Sequence, residues 1–156
     1  MQKVTVPPLP IEGGCQCGQL RYRLKAEPVM FYLCHCTECQ RHTSSAYGES
    51  LRCIAADMEF TGDYRIVERV AESGTRREGW FCPQCGVRVW HGSQGKSTGN
   101  IKAGTLDDTS WLIPAGHIWT RSKQAFVSIG ADELQWHGQP QDGYAAIKAR
   151  WDEMTA

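Results

Sequence analysis

Seven cysteines fall into three tight clusters, Cys15/Cys17, Cys34/Cys36/Cys39 and Cys82/Cys85, and this spacing constrains the fold more than any other feature of the chain. Thiols two or three residues apart rarely bridge one another, because a disulfide needs a particular separation and direction of its Cβ atoms. They can converge on one metal ion, since thiolate sulfur is a soft anionic donor and four thiolates close a tetrahedral zinc site. The segment from Met1 to Gly14 holds Pro7, Pro8 and Pro10 and no apolar stretch of signal-peptide length. A reducing, cytoplasmic setting is therefore expected, where cysteines stay as thiols unless a metal takes them. Zinc, rather than a disulfide framework, is the expected cross-link.

Each cluster has its own local logic. Cys82-Pro83-Gln84-Cys85-Gly86 has the form of a zinc knuckle, in which two thiolates three apart share an ion and Gly86 takes the left-handed conformation of the turn. Cys15-Gln16-Cys17-Gly18 is a shorter half-site. Side chains two apart on a regular strand share a face, but a chelating pair needs the backbone to bend, and Gly13, Gly14 and Gly18 permit that. Cys34-His35-Cys36-Thr37-Glu38-Cys39 offers three sulfurs within six residues. Three protein ligands with one open position is the arrangement of a catalytic zinc. Two closed sites need eight ligands and the clusters supply seven, so Cys53, His35, His42 and His91 stand as candidates for an eighth. Spacing alone does not say which pairs share an ion.

The rest of the chain points to one mainly β domain. Its 156 residues suit a single hydrophobic core, and 41% hydrophobic with 22% charged residues is a globular balance rather than a disordered one. Lys plus Arg equals Asp plus Glu, 17 of each, with no basic stripe in the sequence, so a nucleic-acid partner is not expected. No segment is apolar over a membrane-spanning length, and no membrane partner is expected. Alternation of apolar and polar residues predicts strands at Leu20–Leu24, Met58–Thr61 and Val87–Trp90, and an apolar run from Val29 to Leu33 leads into Cys34. Further strands are expected at Thr75–Phe81, Asn100–Thr105 and Phe126–Ile129, with loops at Lys96–Gly99 and Pro114–Gly116. Tyr144, Ile147, Trp151 and Met154 recur at helical steps behind Asp142, a capping residue, so a short C-terminal helix is expected. The expected division is a zinc domain over 11–137 and a tail with the helix over 138–156.

Gly13-Gly14-Cys15-Gln16-Cys17-Gly18, Arg21-Tyr22, Cys34-His35-Cys36-Thr37-Glu38-Cys39-Gln40-Arg41 and Phe81-Cys82-Pro83-Gln84-Cys85-Gly86 resemble the glutathione-dependent formaldehyde-activating enzyme family, which includes centromere protein V. Gly104-Thr105-Leu106-Asp107-Asp108 and His117-Ile118-Trp119 fit the same pattern, so the resemblance runs from about Ile11 to about Trp119. It implies a mainly β, Mss4-like (β-tent) fold centred on zinc. It implies a structural zinc on Cys15, Cys17, Cys82 and Cys85, and a second zinc on Cys34, Cys36 and Cys39 with a free position. The implied activity is that of a carbon–sulfur lyase: a small thiol, glutathione or similar, is held as the zinc thiolate and added to a small aldehyde such as formaldehyde. The rival reading is a zinc-held thiol-binding or interaction module without turnover. A homodimer is compatible with either.

Other residues carry weaker signals. His35 reads better as a hydrogen-bonding or packing residue than as a ligand, since the flanking sulfurs crowd the same ion. His117 reads as a structural histidine or, by the resemblance, as a residue near the open zinc. Arg41 is a candidate donor to an incoming thiolate, whereas Lys25, Arg76 and Arg77 read as solvated charge. Asp107 and Asp108 read as turn residues. Most of the six tryptophans are expected in the core.

Overall fold

A computed structural model describes residues 1–71 and 74–156. Among them the chain forms ten strands: β1 (Ile11–Gly14), β2 (Arg21–Leu24), β3 (Met30–Cys34), β4 (Gly48–Ile54), β5 (Met58–Thr61), β6 (Arg65–Val70), β7 (Arg76–Phe81), β8 (Arg88–Ser93), β9 (Thr98–Lys102) and β10 (His117–Ile118). Two α-helices, α1 (Thr37–Thr43) and α2 (Ala145–Thr155), complete the mainly β architecture. No helix among the described residues is long and apolar enough to cross a membrane. The contacts divide the chain into two compact units.

One unit comprises residues 7–28 and 51–110. Here β1, β2 and β5 form an antiparallel sheet in which Ile11 faces Leu24 and Tyr22 faces Phe60. The alternation of Tyr22 and Leu24 with Arg21 and Arg23 does what a period of two should: the apolar pair is buried. Strands β6 to β9 form an antiparallel meander next to the Leu51–Ile54 end of β4. Trp80, Trp90 and Ile101 are successive cross-strand partners. Phe60 packs against Trp80 at 4.8 Å between ring centroids, and Tyr64 stacks on Trp80 at 4.5 Å. These rings join β5 of the one sheet to β7 and β8 of the other. Strand β9 begins at Thr98, two residues inside the expected loop, and Ala103–Thr105 turn into a single 3-10 turn rather than extending the strand.

The other unit comprises residues 1–6, 29–50 and 111–156. Its centre is β3, buried at all five positions, as a continuous apolar run predicts. β10 pairs with β3 in parallel, placing His117 beside Leu33 and Ile118 beside Cys34. Helix α2 packs on β3 through Ile147, Trp151 and Met154, all buried, which is the stripe expected from their spacing. Both carboxylate oxygens of Asp142 accept backbone N–H groups, from Tyr144 and Ala146, at 3.0 Å. The N-cap position itself is Tyr144, which makes no side-chain cap, so Asp142 closes the helix entry from two residues further out. The strand expected at Phe126–Ile129 does not form. Phe126 lies in a turn and is 77% exposed, and Lys123 Nζ donates to the Val127 carbonyl at 2.6 Å, so this backbone is tied into a loop.

Candidate metal centres

In the first unit, two turns bring four sulfurs together. Cys15 follows β1, and the chain reverses through Gly18, whose φ of +83° is a left-handed value natural to glycine. The reversal is closed by Cys15 N–H donating to Leu20 C=O at 2.9 Å and Gly18 N–H donating to Cys15 C=O at 3.2 Å. Cys82 follows β7, and its turn is closed by Gly86 N–H donating to Cys82 C=O at 2.9 Å, with Gly86 at φ +74°. Backbone N–H groups also aim at the sulfurs: Leu20 N–H at Cys15 Sγ, 3.3 Å, and Cys85 N–H at Cys82 Sγ, 3.5 Å. The ligand atoms of Cys15, Cys17, Cys82 and Cys85 all lie within 4.8 Å of one another. Cys15 Sγ is 3.6 Å from Cys17 Sγ, which is 3.7 Å from Cys82 Sγ. A tetrahedron with zinc–sulfur bonds of about 2.3 Å has edges of about 3.8 Å, so this donor set fits a zinc ion in both chemistry and size. Burial opposes ionisation of Cys82, but N–H donors from Cys85, Gln19 and Gln84 outweigh it and hold the thiol down at about 6.

In the second unit, β3 delivers Cys34 and helix α1 delivers the other two sulfurs. Cys36 is the N-cap of α1, with extended backbone, and its Sγ accepts the Cys39 N–H at 3.3 Å. A thiol in the place of the usual serine or aspartate thus satisfies one of the helix's open donors and fixes the distance to Cys39. The sulfurs of Cys34, Cys36 and Cys39 lie within 4.8 Å of one another, and among the described residues no histidine, carboxylate or further cysteine joins them. Contacts from the Cys34 and Cys39 sulfurs, with N–H groups of Cys39 and Glu38, pull the Cys36 thiol down to about 2, and the same contact with Cys36 pushes Cys34 up. The set concentrates negative charge on one sulfur, which suits a cation.

The other candidate ligands stand apart. Cys53 is fully buried, its S–H directed at the Leu51 carbonyl at 3.4 Å, and burial pushes its thiol up. His42 is exposed on α1, and His91 lies in the first unit beside Asn100 and Lys102. None of the eight cysteines is in a disulfide.

His35 and His117 form a buried chain that the sequence showed only in part. His117 Nε2 lies 2.8 Å from a Glu133 carboxylate oxygen, and His117 Nδ1 lies 2.9 Å from His35 Nε2. An ionised carboxylate accepts only, so His117 carries its proton on Nε2 and accepts at Nδ1 from His35 Nε2–H. Burial and the His117 charge lower the His35 pKa to about 4, and burial lowers that of His117 against the opposing pull of Glu133. Both rings are therefore neutral at pH 7. The chain orients the segment between Cys34 and Cys36, helped by Gln40 Nε2 and Ser122 Oγ, which donate to the His35 carbonyl at 2.8 and 2.9 Å. Glu133 lies far along the chain from the cysteines, and no local motif marks it.

A cavity of about 470 Å³ opens along α1, lined by Thr37, Gln40, Arg41, Ser44, Gln124 and Phe126 among others. Gln40 is held in it by Gln124 Nε2, which donates to Gln40 Oε1 at 2.9 Å. Arg41 is exposed and reaches this cavity, whereas His117 is not among its lining residues. In the first unit, Asp107 pairs with both terminal nitrogens of Arg21, and Asp108 Oδ1 accepts from Ser110 N–H and Oγ in a turn.

The sequence profile of the family described as glutathione-dependent formaldehyde-activating enzyme matches residues 10–122. A Halomonas elongata protein, provisionally named a glutathione-dependent formaldehyde-activating enzyme, is 25% identical over 88 residues. That alignment covers 51% of this chain and 54% of the relative, so the chain spans about half of the curated relative's length. A crystal structure of a Rhodobacter sphaeroides protein aligns with a TM-score of 0.49 at 18% identity, over 64% of this chain and 91% of that one. With the profile covering both cysteine sets from β1 to the end of β10, the chain belongs to the glutathione-dependent formaldehyde-activating enzyme family.

Proposed function

We propose that this is a zinc protein with two ions of unequal role. A structural zinc is held by Cys15, Cys17, Cys82 and Cys85, and a second by Cys34, Cys36 and Cys39. The second site takes the sulfur of a small thiol, glutathione or a relative, and the protein adds that thiol to a small aldehyde such as formaldehyde. The observation that most supports this reading is that three sulfurs converge in one unit while four converge in the other. Three leave room for an incoming donor and four do not.

The addition balances without a redox partner. The thiol adds across C=O: a carbon–sulfur bond forms, the carbonyl π bond breaks, and the thiol proton ends on the former carbonyl oxygen. When bound, zinc would supply Lewis acidity that favours the ionised thiol. A free thiol with pKa near 8.5 is about 3% ionised at pH 7, so full ionisation gains about 30-fold at most. Stabilising the thiolate also lowers its nucleophilicity, which erodes that gain. Orientation must therefore carry the rest. The chain's own residues serve that end. The cavity beside α1 is within the size range of small-ligand sites, Arg41 is a cation suited to a thiol's carboxylate, and Gln40 is fixed by Gln124 and by Ser122 C=O, to which its Nε2 donates at 2.9 Å.

The test is NMR exchange spectroscopy on reduced, zinc-loaded protein, following exchange between formaldehyde and its glutathione adduct. Exchange faster than the uncatalysed rate, and lost in Cys36→Ser, is the expected result. Wild-type protein that never exceeds the uncatalysed rate with glutathione or other small thiols would reduce the molecule to a thiol-binding module.

A further inference from the structure

On the β6–β9 meander, charge is sorted by face. Cross-strand partners share a face and successive residues alternate. Arg69 is opposite Arg77, Arg77 opposite Ser93, Gly79 opposite His91, and His91 opposite Asn100, with Lys102 two residues further along β9. A register shift after Trp80 pairs Arg88 with Phe81, which brings Arg88 onto this same face. The absent side chain of Gly79 makes space for it: a Cβ there would meet Arg88 Nε at 2.8 Å. The acids of these strands, Glu68 and Glu78, are partners on the other face, where Glu68 pairs with Arg76 at 3.3 Å.

Three arginines and a lysine therefore crowd a single neutral histidine. Lys102, 7% exposed, lies with Nζ 3.4 Å from His91 Nδ1, and Asn100, 5% exposed, lies 3.2 Å from His91 Nε2. An ammonium only donates, so Nδ1 is an acceptor, while the Asn100 amide nitrogen faces Nε2. Arg77 donates to Ser93 Oγ at 3.0 Å, and Arg88 lies over the Phe81 ring at 5.7 Å. An anion lying across the strands meets guanidinium donors in their preferred planar fork. None of these cations is near another in sequence, so the clustering exists only in the folded sheet.

We propose that this face binds a small oxyanion, a carboxylate or a phosphate group, held by Arg77 and Arg88 with Lys102 and Arg69 at its flanks. This site is independent of the two cysteine sets and of the reaction assigned to them. The donors extend over three strand spacings, roughly 14 Å, so an anion larger than a single phosphate can also be spanned.

The experiment is a titration of isotope-labelled, zinc-loaded full chain with inorganic phosphate and, separately, with succinate, against sodium chloride at matched ionic strength. Saturable amide shifts confined to β7, β8 and β9 in the phosphate or succinate arm, absent with chloride, are expected, and the tighter arm names the ligand's source. Arg77→Gln and Arg88→Gln should each weaken binding by about tenfold, the scale of one charge-assisted contact. Arg76→Gln, on the opposite face, should leave it unchanged. If Arg88→Gln disturbs the amide spectrum of the free protein, Arg77→Gln decides alone. Shifts that chloride reproduces, shifts centred on α1, or an affinity indifferent to both arginines would overturn the proposal.

Discussion

The four-cysteine set and the three-cysteine set use the same ligand chemistry on different scaffolds. Cys15 and Cys17 stand 65 or more residues from Cys82 and Cys85 in the chain, and only the sheets of one unit bring the two turns together. An ion held there closes a long loop, so its binding energy is coupled to folding. Cys34, Cys36 and Cys39 lie within six residues, at the end of one strand and the first turn of one short helix. An ion held there closes almost nothing. Its loss should cost chemistry and leave the fold. The same pairing of a sulfur with the N–H three residues on, at Cys36/Cys39 and Cys82/Cys85, shows that local geometry is shared and that chain topology makes the difference.

The largest effect should come from breaking the long loop. Cys82→Ser is expected to abolish cooperative thermal unfolding and disperse the tryptophan environment around Trp80 and Trp90, because structural zinc contributes on the order of 10 kcal/mol in such sites. Near-UV circular dichroism is the check. A variant that still melts cooperatively at the wild-type temperature would erase the contrast between the sites. Next in size is Cys36→Ser. It should remove one zinc per chain and return formaldehyde–thiol exchange to the uncatalysed rate, while near-UV dichroism and the other zinc persist.

How legible this was depended on distance along the chain. Every clustered cysteine could be picked out because chelating spacing is local, and Gly18 and Gly86 marked turns that their positive φ values bear out. Helix α1 went unseen because seven residues with no buried position leave no periodic signal. β6 has exposed residues on both faces, so its sequence lacks alternation. Phe126–Ile129 showed the opposite error, an apolar, β-branched run with no partner strand to receive it. Glu133, and the arginines now gathered on one face of the meander, needed cross-strand and parallel register to become neighbours. Arg77, read as solvated charge, is half-buried and bonded to Ser93 for that reason.

Acid should sharpen the contrast more gently. Burial, then Lys102 and the nearby arginines, holds the His91 pKa well below its ordinary 6.5 in the folded unit that carries the four-cysteine set. The unfolded chain takes up the proton first, so stability is fully present above about pH 6.5 and falls as pH drops below it. The slope is up to about 1.4 kcal/mol per pH unit, less where the ring edge meets solvent. Urea melts between pH 7 and 5 should show a flatter pH dependence in His91→Gln than in wild type. An unchanged slope would remove His91 from the account. The smallest effect belongs to Cys53→Ser, which places a hydroxyl in a fully buried site and should cost about 1–2 kcal/mol with no change in metal content. Loss of a zinc in that variant would make Cys53 a ligand and close the three-cysteine site.

Zinc per chain, measured by elemental analysis on reduced protein before and after a mild chelator, tests the central claim most directly. Two ions falling to one, with the survivor retained in Cys36→Ser and absent in a Cys15→Ser variant kept soluble, is the result expected from the topology of the two sets. No zinc at all, or two ions released together at one chelator concentration, would contradict it.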